Sequence, residues 1–105
     1  MKPQVLFTPE AKSDLLELYE YIAERGGPER AIAYVERIEK ACLSLRAIPE
    51  RGTLREDLRS GLRVMGFERR AMIAFRVKAG DIAILRILYG GRSLERTFSK
   101  MKDIE

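Results

Sequence analysis

Arginine supplies most of the chemistry that this sequence offers. Residues 51–92 contain ten basic side chains, nine of them arginine, against four acidic ones. The guanidinium group is a planar fork of donors that suits phosphate and carboxylate groups. This bias therefore predicts a partner that carries negative charge, either a nucleic acid or an acidic protein. A basic face that contacts only solvent is the alternative at this point.

Two residue types that commonly carry hydrolytic or metal chemistry are scarce. The chain has no histidine and a single cysteine, Cys42. Without histidine there is no ordinary general base near neutral pH and no Ser-His or Cys-His nucleophile pair. One cysteine cannot form an internal disulfide or a thiolate metal cage, so we expect neither a metal site nor a cofactor. Cys42 falls on an apolar helical stripe, where a small core residue is the simpler interpretation.

Size and charge pattern predict one folded domain over residues 1–105. Lys and Arg number 20 against 16 Asp and Glu, for a net charge of +4, and the hydrophobic fraction of 46% is too high for a disordered chain. The longest uncharged stretch, residues 3–9, is far shorter than the roughly 18 apolar residues of a membrane span. There is also no apolar core of a secretory signal. We therefore expect a cytoplasmic protein without membrane contact.

The elements that position the arginines begin with a helix that is predicted from its cap. A short apolar strand over residues 4–7 leads into Thr8-Pro9-Glu10, which supplies an N-cap, a first-turn proline and an early carboxylate. Apolar residues then recur every three or four positions, with acidic residues on another face. The predicted buried face is Ala11, Leu15, Leu18 and Ile22, and the predicted exposed face is Glu10, Asp14, Glu17 and Glu24.

A second helix completes a helical hairpin. Gly26-Gly27-Pro28 ends the first helix and begins the next, because glycine tolerates a left-handed cap and proline fits a first turn. Pro49 stops this helix, and residues 49–61 are predicted to be a loop with at most one helical turn around residues 54–58. The predicted buried stripe is Ala31, Tyr34, Val35, Ile38, Ala41, Cys42, Leu45 and Ile48.

Past Gly61 the hydrophobic period drops to two, which predicts antiparallel strands over residues 62–66, 69–78 and 81–89. Ala79-Gly80 forms the tight turn between the last two. The predicted fold class is therefore α+β, with a helical hairpin packed on a small, mostly antiparallel sheet. The element order is β-α-α-β-β-β with a short carboxy-terminal helix or turn, and residues 99–105 are expected to fray.

Alternation along the strands separates two sheet faces. One face of the strand over residues 69–78 should meet the helices, and the other carries Met72, Ala74 and Arg76. Arg86 lies in a strand that is otherwise apolar on both faces, which predicts a central position in the sheet. A charge there either has a partner or opens onto a binding surface, and an internal ion pair, for example with Glu68 or Glu95, is an equal alternative.

The order and spacing of these segments resemble the RelE/ParE toxin superfamily over roughly residues 4–98. The similarity includes Thr8-Pro9-Glu10-Ala11, the helical hairpin, Gly61-Leu62-Arg63 and Ile73-x-Phe75-Arg76-Val77. The chain is most similar to the ParE branch, the toxin half of plasmid-stabilisation modules, whose last strand typically reads Arg-Val-Leu-His before a small-residue turn and an arginine. Here the segment is Arg86-Ile87-Leu88-Tyr89-Gly90-Gly91-Arg92, with Tyr89 where histidine is frequent.

The resemblance implies the toxin of a type II toxin–antitoxin module, which inhibits DNA gyrase and is neutralised by a ParD-like antitoxin. We expect an acidic, amphipathic antitoxin segment to fold onto the basic sheet face. Operator DNA would be contacted only through the antitoxin, since neither helix has a basic recognition face. The predicted antitoxin-binding residues are Arg70, Met72, Ala74, Arg76, Ile84 and Arg86, and the predicted target-binding residues are Arg92 and Arg96.

The alternative function is enzymatic, because RelE-type relatives cleave messenger RNA on the ribosome. A metal-independent ribonuclease of this kind would use Arg70, Arg86 and Tyr89. Arg86 and Tyr89 are three residues apart on one strand, however, and so point to opposite faces unless a bulge intervenes. An ordinary phenol, with a pKa of about 10, is also a poor base at neutral pH. We therefore favour a binding protein without catalytic residues.

Overall fold

The computed structural model describes residues 3–100. Five strands form one sheet in the order β1-β5-β4-β3-β2, in which β1 is parallel to β5 and the other pairs are antiparallel. The predicted α+β fold, with a helical hairpin on a mostly antiparallel sheet, is confirmed. The elements are β1 (Val5–Phe7), α1 (Pro9–Gly26), α2 (Pro28–Leu43), a 3-10 turn (Ser44–Arg46), β2 (Thr53–Leu54), β3 (Arg63–Phe67), β4 (Ala71–Lys78), β5 (Asp81–Tyr89) and α3 (Leu94–Lys100).

Thr8 joins the start of α1 to the sheet. Its hydroxyl oxygen accepts a hydrogen bond from the Ala11 amide at 3.0 Å, which is the predicted N-cap. The same hydroxyl donates to the carbonyl of Leu85 at 2.9 Å, and the Thr8 amide donates to the carbonyl of Ile84 at 3.1 Å. The first turn of α1 is therefore fixed against β5, which decides which α1 side chains reach that strand.

Each face of the sheet is covered by its own hydrophobic layer. The helical hairpin covers one face, where Leu18, Ile38 and Phe75 are almost fully buried. Leu62 and the side chains of Leu94 and Phe98 from α3 cover the other face. The buried residues of this second layer are Leu62, Ala74, Leu85, Leu88, Leu94 and Phe98.

The register between β4 and β5 contains a bulge that alternation alone does not predict. Phe75 pairs with Ile84 and Ala74 pairs with Arg86, so Leu85 is the extra residue on β5. As a result Ile84 is in the layer beneath the helices, while Leu85 is in the layer beneath α3. The expectation that Ile84 shares the open face of Met72 and Ala74 is therefore wrong.

Several elements also differ in extent from the prediction, and β3 covers residues 63–67 instead of 62–66. The segment before Gly61 contains the short strand β2, which pairs with β3 through Thr53 and Leu54 and was predicted as loop. Strand β4 begins at Ala71 because residues 68–70 form the turn after β3. Helix α2 ends at Leu43, which leaves Ile48 half exposed instead of buried. Helix α3 includes residues 99 and 100, and the remaining residues expected to fray, 101–105, lie outside the described residues.

Candidate functional site

Arg86, the central charged residue of β5, is held by a carboxylate of the same chain. Its Nε donates to Oδ2 of Asp14 at 2.7 Å and its Nη2 donates to Oδ1 at 2.9 Å. The Asp14 side chain is only 4% exposed and that of Arg86 is 20% exposed. The internal ion pair is thus the alternative that holds, but the partner is neither Glu68 nor Glu95. The hydrogen bonds that Arg86 donates to this carboxylate, together with the charge of Asp14, raise the pKa of the Arg86 guanidinium above its ordinary value.

Asp14 was predicted on the exposed face of α1, and that prediction is wrong because the side chain is buried against strand β5. Strand β1 pairs with β5 only as far as Ile84, so the Ile87 amide has no strand partner on that side. Oδ2 of Asp14 accepts from this amide at 2.8 Å. Because a buried backbone amide needs an acceptor, Asp14 takes the position of the missing strand as well as pairing with Arg86.

The two residues predicted to contact the target differ in their availability. Arg92 is 47% exposed, and its Nη2 donates to Oε1 of Glu17 at 2.9 Å. Its Nη1 also lies 3.7 Å from Oδ1 of Asp14. Arg96 is exposed on α3, and no carboxylate within residues 3–100 lies at ion-pair distance from it. Of the two, Arg96 is the guanidinium that is not engaged by α1.

The six residues predicted to form one antitoxin-binding face do not share a surface. Ala74 and Ile84 are fully buried in opposite layers of the molecule, and Arg86 is paired internally. Arg70 is exposed as the last residue of the β3–β4 turn. The partly buried remainder consists of Met72 and Arg76, which lie on β4. Contact of Arg70, Met72 and Arg76 with an antitoxin stays a prediction.

A pocket of about 250 Å³ opens where the helical hairpin turns, and it joins residues that are far apart in sequence. Tyr89, at the end of β5, contacts the ring of Tyr21 edge-on, with centroids 5.5 Å apart. The guanidinium carbon of Arg25 lies 3.8 Å from the centroid of the Tyr21 ring. We call this the arginine–tyrosine pocket, and its lining is Tyr21, Ile22, Arg25, Gly26, Arg30, Arg70 and Tyr89.

The helical contribution to this pocket was not predicted from the sequence. Tyr21, Arg25 and Arg30 are ordinary surface residues by helical spacing, and only the tertiary packing of the hairpin turn against β5 brings them to Tyr89. The sequence signal for this pocket was the presence of Arg25 and Arg30 on either side of the helix break, but it did not show that Tyr89 lies beside them.

The three residues named for the ribonuclease alternative are brought together only in part. Arg70 and Tyr89 line the arginine–tyrosine pocket, whereas Arg86 does not. The bulge at Leu85 precedes Arg86, so it does not turn Arg86 and Tyr89 toward the same face. Residues 3–100 contain no group of three or more His, Cys, Asp or Glu side chains placed to hold a metal ion.

Comparisons with known proteins identify relatives over most of the chain. Residues 5–94 match the family model of the ParE toxin of the type II toxin-antitoxin system, parDE. The chain is 33% identical over 97 residues to the toxin ParE3 of Caulobacter vibrioides. This alignment covers 92% of the chain and 96% of the relative.

Two solved structures have a similar fold. One is the chromosomal ParDE toxin–antitoxin system from P. aeruginosa, with a TM-score of 0.74 and 30% identity over 84% of this chain and 96% of that one. The other is the toxin–antitoxin complex RelBE2 from Mycobacterium tuberculosis, with a TM-score of 0.61 and 19% identity over 86% of this chain and 100% of that one. The second similarity concerns the fold alone. Among the described helices, none is both long and apolar enough to cross a membrane.

Proposed function

Because the chain belongs to the ParE toxin family of type II toxin–antitoxin systems, we propose that it inhibits DNA gyrase by binding to it. A ParD-like antitoxin neutralises the toxin by binding in turn, and the site of action is the cytoplasm, where gyrase works. Family membership supports the choice of target, since gyrase inhibition is what the resemblance to ParE toxins implies. The toxin breaks no bond in this proposal.

The observation that carries the binding mechanism is the pairing of Arg86 with Asp14. A guanidinium that stabilises a phosphoryl transition state must direct its donors at the reacting phosphate. Two donors of Arg86, Nε and Nη2, are instead directed at Asp14 at 2.7 and 2.9 Å. Releasing Arg86 would remove two hydrogen bonds from a carboxylate that is only 4% exposed and leave it with the Ile87 amide at 2.8 Å and Arg92 at 3.7 Å, which is energetically costly.

An antitoxin partner is supported by the charge on the toxin surface and by the known relatives. The similar P. aeruginosa structure is a ParDE toxin–antitoxin system. Arg70 is exposed and Arg76 is partly exposed, and neither lies at ion-pair distance from a carboxylate of residues 3–100. Together with the partly buried Met72, they offer an acidic, amphipathic segment both charge and an apolar contact.

Messenger cleavage remains the second candidate, because one observation favours it. Arg70 and Tyr89, two of the three residues of the ribonuclease alternative, line the same pocket. In that mechanism Arg70 would stabilise charge on the phosphate and Tyr89 would transfer a proton.

Two assays on the same purified chain separate these functions. The first measures DNA supercoiling by gyrase, and the second measures cleavage of messenger RNA on programmed ribosomes. We expect inhibition in the first assay, relief of that inhibition by a stoichiometric ParD-like antitoxin, and no cleavage in the second. Cleavage without gyrase inhibition would replace the proposed function with the ribonuclease alternative.

A matched pair of variants tests which arginine contacts the target. Arg96 is exposed on α3, and Arg46 is exposed on the turn after α2. Arg96→Ala should weaken gyrase inhibition, whereas Arg46→Ala, which removes the same charge elsewhere, should leave it unchanged. Equal inhibition by both variants would contradict the prediction that Arg96 contacts the target.

A further inference from the structure

Basic and aromatic side chains line two depressions that share Arg70, at the end of the molecule where the helical hairpin turns. The arginine–tyrosine pocket meets a second depression, of about 320 Å³, at Arg70. The second depression lies beside the β3–β4 turn and has Met72 and Leu88 in its lining. We define the arginine–tyrosine strip by six residues that line these two depressions: Tyr21, Arg25, Arg30, Arg69, Arg70 and Tyr89.

The positive charge of the strip is not neutralised within the described part of the chain. Arg30, Arg69 and Arg70 are exposed and have no carboxylate of residues 3–100 within 4 Å. Arg25 has one such neighbour, an oxygen of Glu24 at 3.7 Å. Five arginines line the two depressions. The fifth, Arg92, is paired with Glu17, so three of the five have no carboxylate of residues 3–100 within 4 Å.

Nearby carboxylates are already engaged by other arginines. Glu17 accepts from Arg92 at 2.9 Å, and Glu68 accepts two hydrogen bonds from Arg37 at 2.8 and 2.9 Å. The hydrogen bond and charge of Arg37 also lower the pKa of the Glu68 carboxyl, so it stays ionised and paired. Since no carboxylate of residues 3–100 pairs with Arg30, Arg69 or Arg70, these arginines are available to a negatively charged group of another molecule.

The backbone holds two edges of the strip in place. Glu68 and Arg69 have φ angles of 50° and 62°, a left-handed conformation that non-glycine residues rarely adopt. The paired hydrogen bonds with Arg37 anchor Glu68 in that conformation, and the turn presents Arg69 and Arg70. On the other edge the side chain of Arg30 lies against Gly26, where a Cβ atom would come within 2.8 Å of its Cδ.

The aromatic residues give the strip a surface on which a planar group can stack. Tyr21 is 44% exposed, and it contacts Tyr89 edge-on at 5.5 Å. The guanidinium of Arg25 covers one face of the Tyr21 ring at 3.8 Å, so a base would stack on the Arg25 guanidinium plane together with the exposed part of the ring. Proteins that bind single strands without sequence preference combine these two features, because arginines follow the phosphates while aromatic rings stack on bases.

We propose that the arginine–tyrosine strip binds single-stranded nucleic acid, independently of base sequence. Arg30, Arg69 and Arg70 contact backbone phosphates, and a base stacks on the Arg25–Tyr21 pair. An acidic peptide could also pair with the arginines, but it would leave the exposed part of the Tyr21 ring, which is 44% exposed, without a stacking partner. The proposal does not rest on the gyrase target, and it concerns single strands, not the duplex operator DNA that the antitoxin is expected to contact.

The test is fluorescence anisotropy of a labelled twelve-residue oligothymidylate titrated with the full chain at 50 and 200 mM NaCl. We expect a dissociation constant of about 1–100 μM at the lower salt concentration. The double variant Arg30→Ala/Arg70→Ala should weaken binding by about tenfold or more. It should also reduce the slope of log K against log salt by about 1.4, or about 0.7 for each phosphate that the variant no longer neutralises.

Two further variants make the result specific to the strip. Tyr21→Leu keeps an apolar side chain but removes the ring, and it should weaken binding by about fivefold or more. Lys40→Ala/Arg46→Ala removes the same charge from exposed positions. Because Arg46 is sixteen residues after Arg30 along α2 and the turn that follows it, roughly 24 Å away by helical rise, this control should retain binding.

Three outcomes would overturn the proposal. One is the absence of oligothymidylate binding at 50 mM NaCl. Another is an equal loss of binding in the control and in Arg30→Ala/Arg70→Ala, which would show that binding depends only on the overall net charge of the protein. The third is displacement of the oligonucleotide by a glutamate-rich peptide of the same length that binds more tightly, which would assign the strip to an acidic protein partner. Thermal unfolding of each variant confirms that it is folded.

Discussion

At the scale of single residues, Asp14 is the group on which most of the local structure depends. It is almost fully buried, yet it accepts hydrogen bonds from the Arg86 side chain and from the Ile87 amide. Charged residues on an amphipathic helix are normally interpreted as surface residues. Asp14 is buried instead, because its partners come from β5. Its contribution can be measured, since removing one partner of a buried ion pair leaves the other charge unpaired.

We predict that Asp14→Asn lowers the free energy of unfolding by about 2 kcal/mol or more, which corresponds to roughly 8 °C in Tm for a domain of this size. Asparagine retains an oxygen for the Ile87 amide but leaves the 20% exposed guanidinium of Arg86 without its counter-charge. Urea unfolding monitored by circular dichroism measures the change.

Glu17→Gln is the control for this prediction, because Glu17 also pairs with an arginine but is 55% exposed. An exposed ion pair of this kind contributes less than about 1 kcal/mol. The double variant Asp14→Asn/Arg86→Gln should be more stable than the sum of the two single changes predicts, by about 1 kcal/mol or more. Strict additivity would contradict an energetic coupling between the two side chains.

Tyr34 makes a second prediction at this scale, because its hydroxyl is buried without a hydrogen-bond partner in the described part of the chain. Burial, followed by the charges of Tyr89 and Glu68, raises the pKa of Tyr34 to about 12. We predict that Tyr34→Phe raises the free energy of unfolding by about 1 kcal/mol at pH 7, since it removes an unsatisfied polar group and keeps the ring.

The same change should alter the dependence of stability on pH. In the unfolded chain tyrosine ionises near pH 10, whereas Tyr34 in the folded chain keeps its proton up to about pH 12. Between these values the unfolded state releases a proton that the folded state retains, so wild-type stability falls by up to about 1.4 kcal/mol per pH unit from this group. Urea midpoints from pH 7 to 11 should show a widening advantage of Tyr34→Phe, and a constant difference would contradict the burial argument.

At the scale of elements, the short helix α3 has a larger structural role than its seven residues indicate. It completes the layer on the face of the sheet that the helical hairpin does not cover, through Leu94 and Phe98. Phe98 is 2% exposed and packs with Leu62 and Leu88 among others. The sheet face predicted to receive an antitoxin is thus partly occupied by the chain itself.

We predict that Phe98→Ala lowers the free energy of unfolding by about 3 kcal/mol, because it removes a buried aromatic ring and leaves a cavity under α3. Faster trypsin cleavage after Arg96 should accompany the loss, since α3 would detach more often. Leu43→Ala is the matched control, because Leu43 is 46% exposed and its truncation should cost less than about 0.5 kcal/mol. Equal effects of the two changes would show that α3 is not packed as described.

At the scale of the whole molecule, the parts of the fold that local signals determine were predictable from the sequence. The Thr8 cap, the break at Gly26-Gly27-Pro28 and the Ala79-Gly80 turn depend only on neighbouring residues, and each marks a boundary in the structure. The order of these elements also sufficed to recognise the ParE family, which the family model confirms.

The predictions that were wrong or missing concern residues whose contacts are with residues distant in sequence. Asp14 and Arg86 are 72 residues apart, so helical spacing could not show that the carboxylate is buried. The bulge at Leu85 arises from strand pairing and has no side-chain signature, yet it moves Ile84 into the core beneath the helices. The arginine–tyrosine pocket joins the hairpin turn to the end of β5, and neither segment alone predicts it.

The most direct test of this account is gyrase supercoiling in the presence of the wild type and of Asp14→Asn/Arg86→Gln. The pairing of Arg86 with Asp14 indicates that Arg86 supports the fold and does not act on another molecule. If so, the double variant, once shown to be folded, should inhibit gyrase with a potency within about threefold of the wild type, a difference of less than about 1 kcal/mol. A folded double variant that has lost inhibition, or a wild type that never inhibits gyrase, would contradict the account.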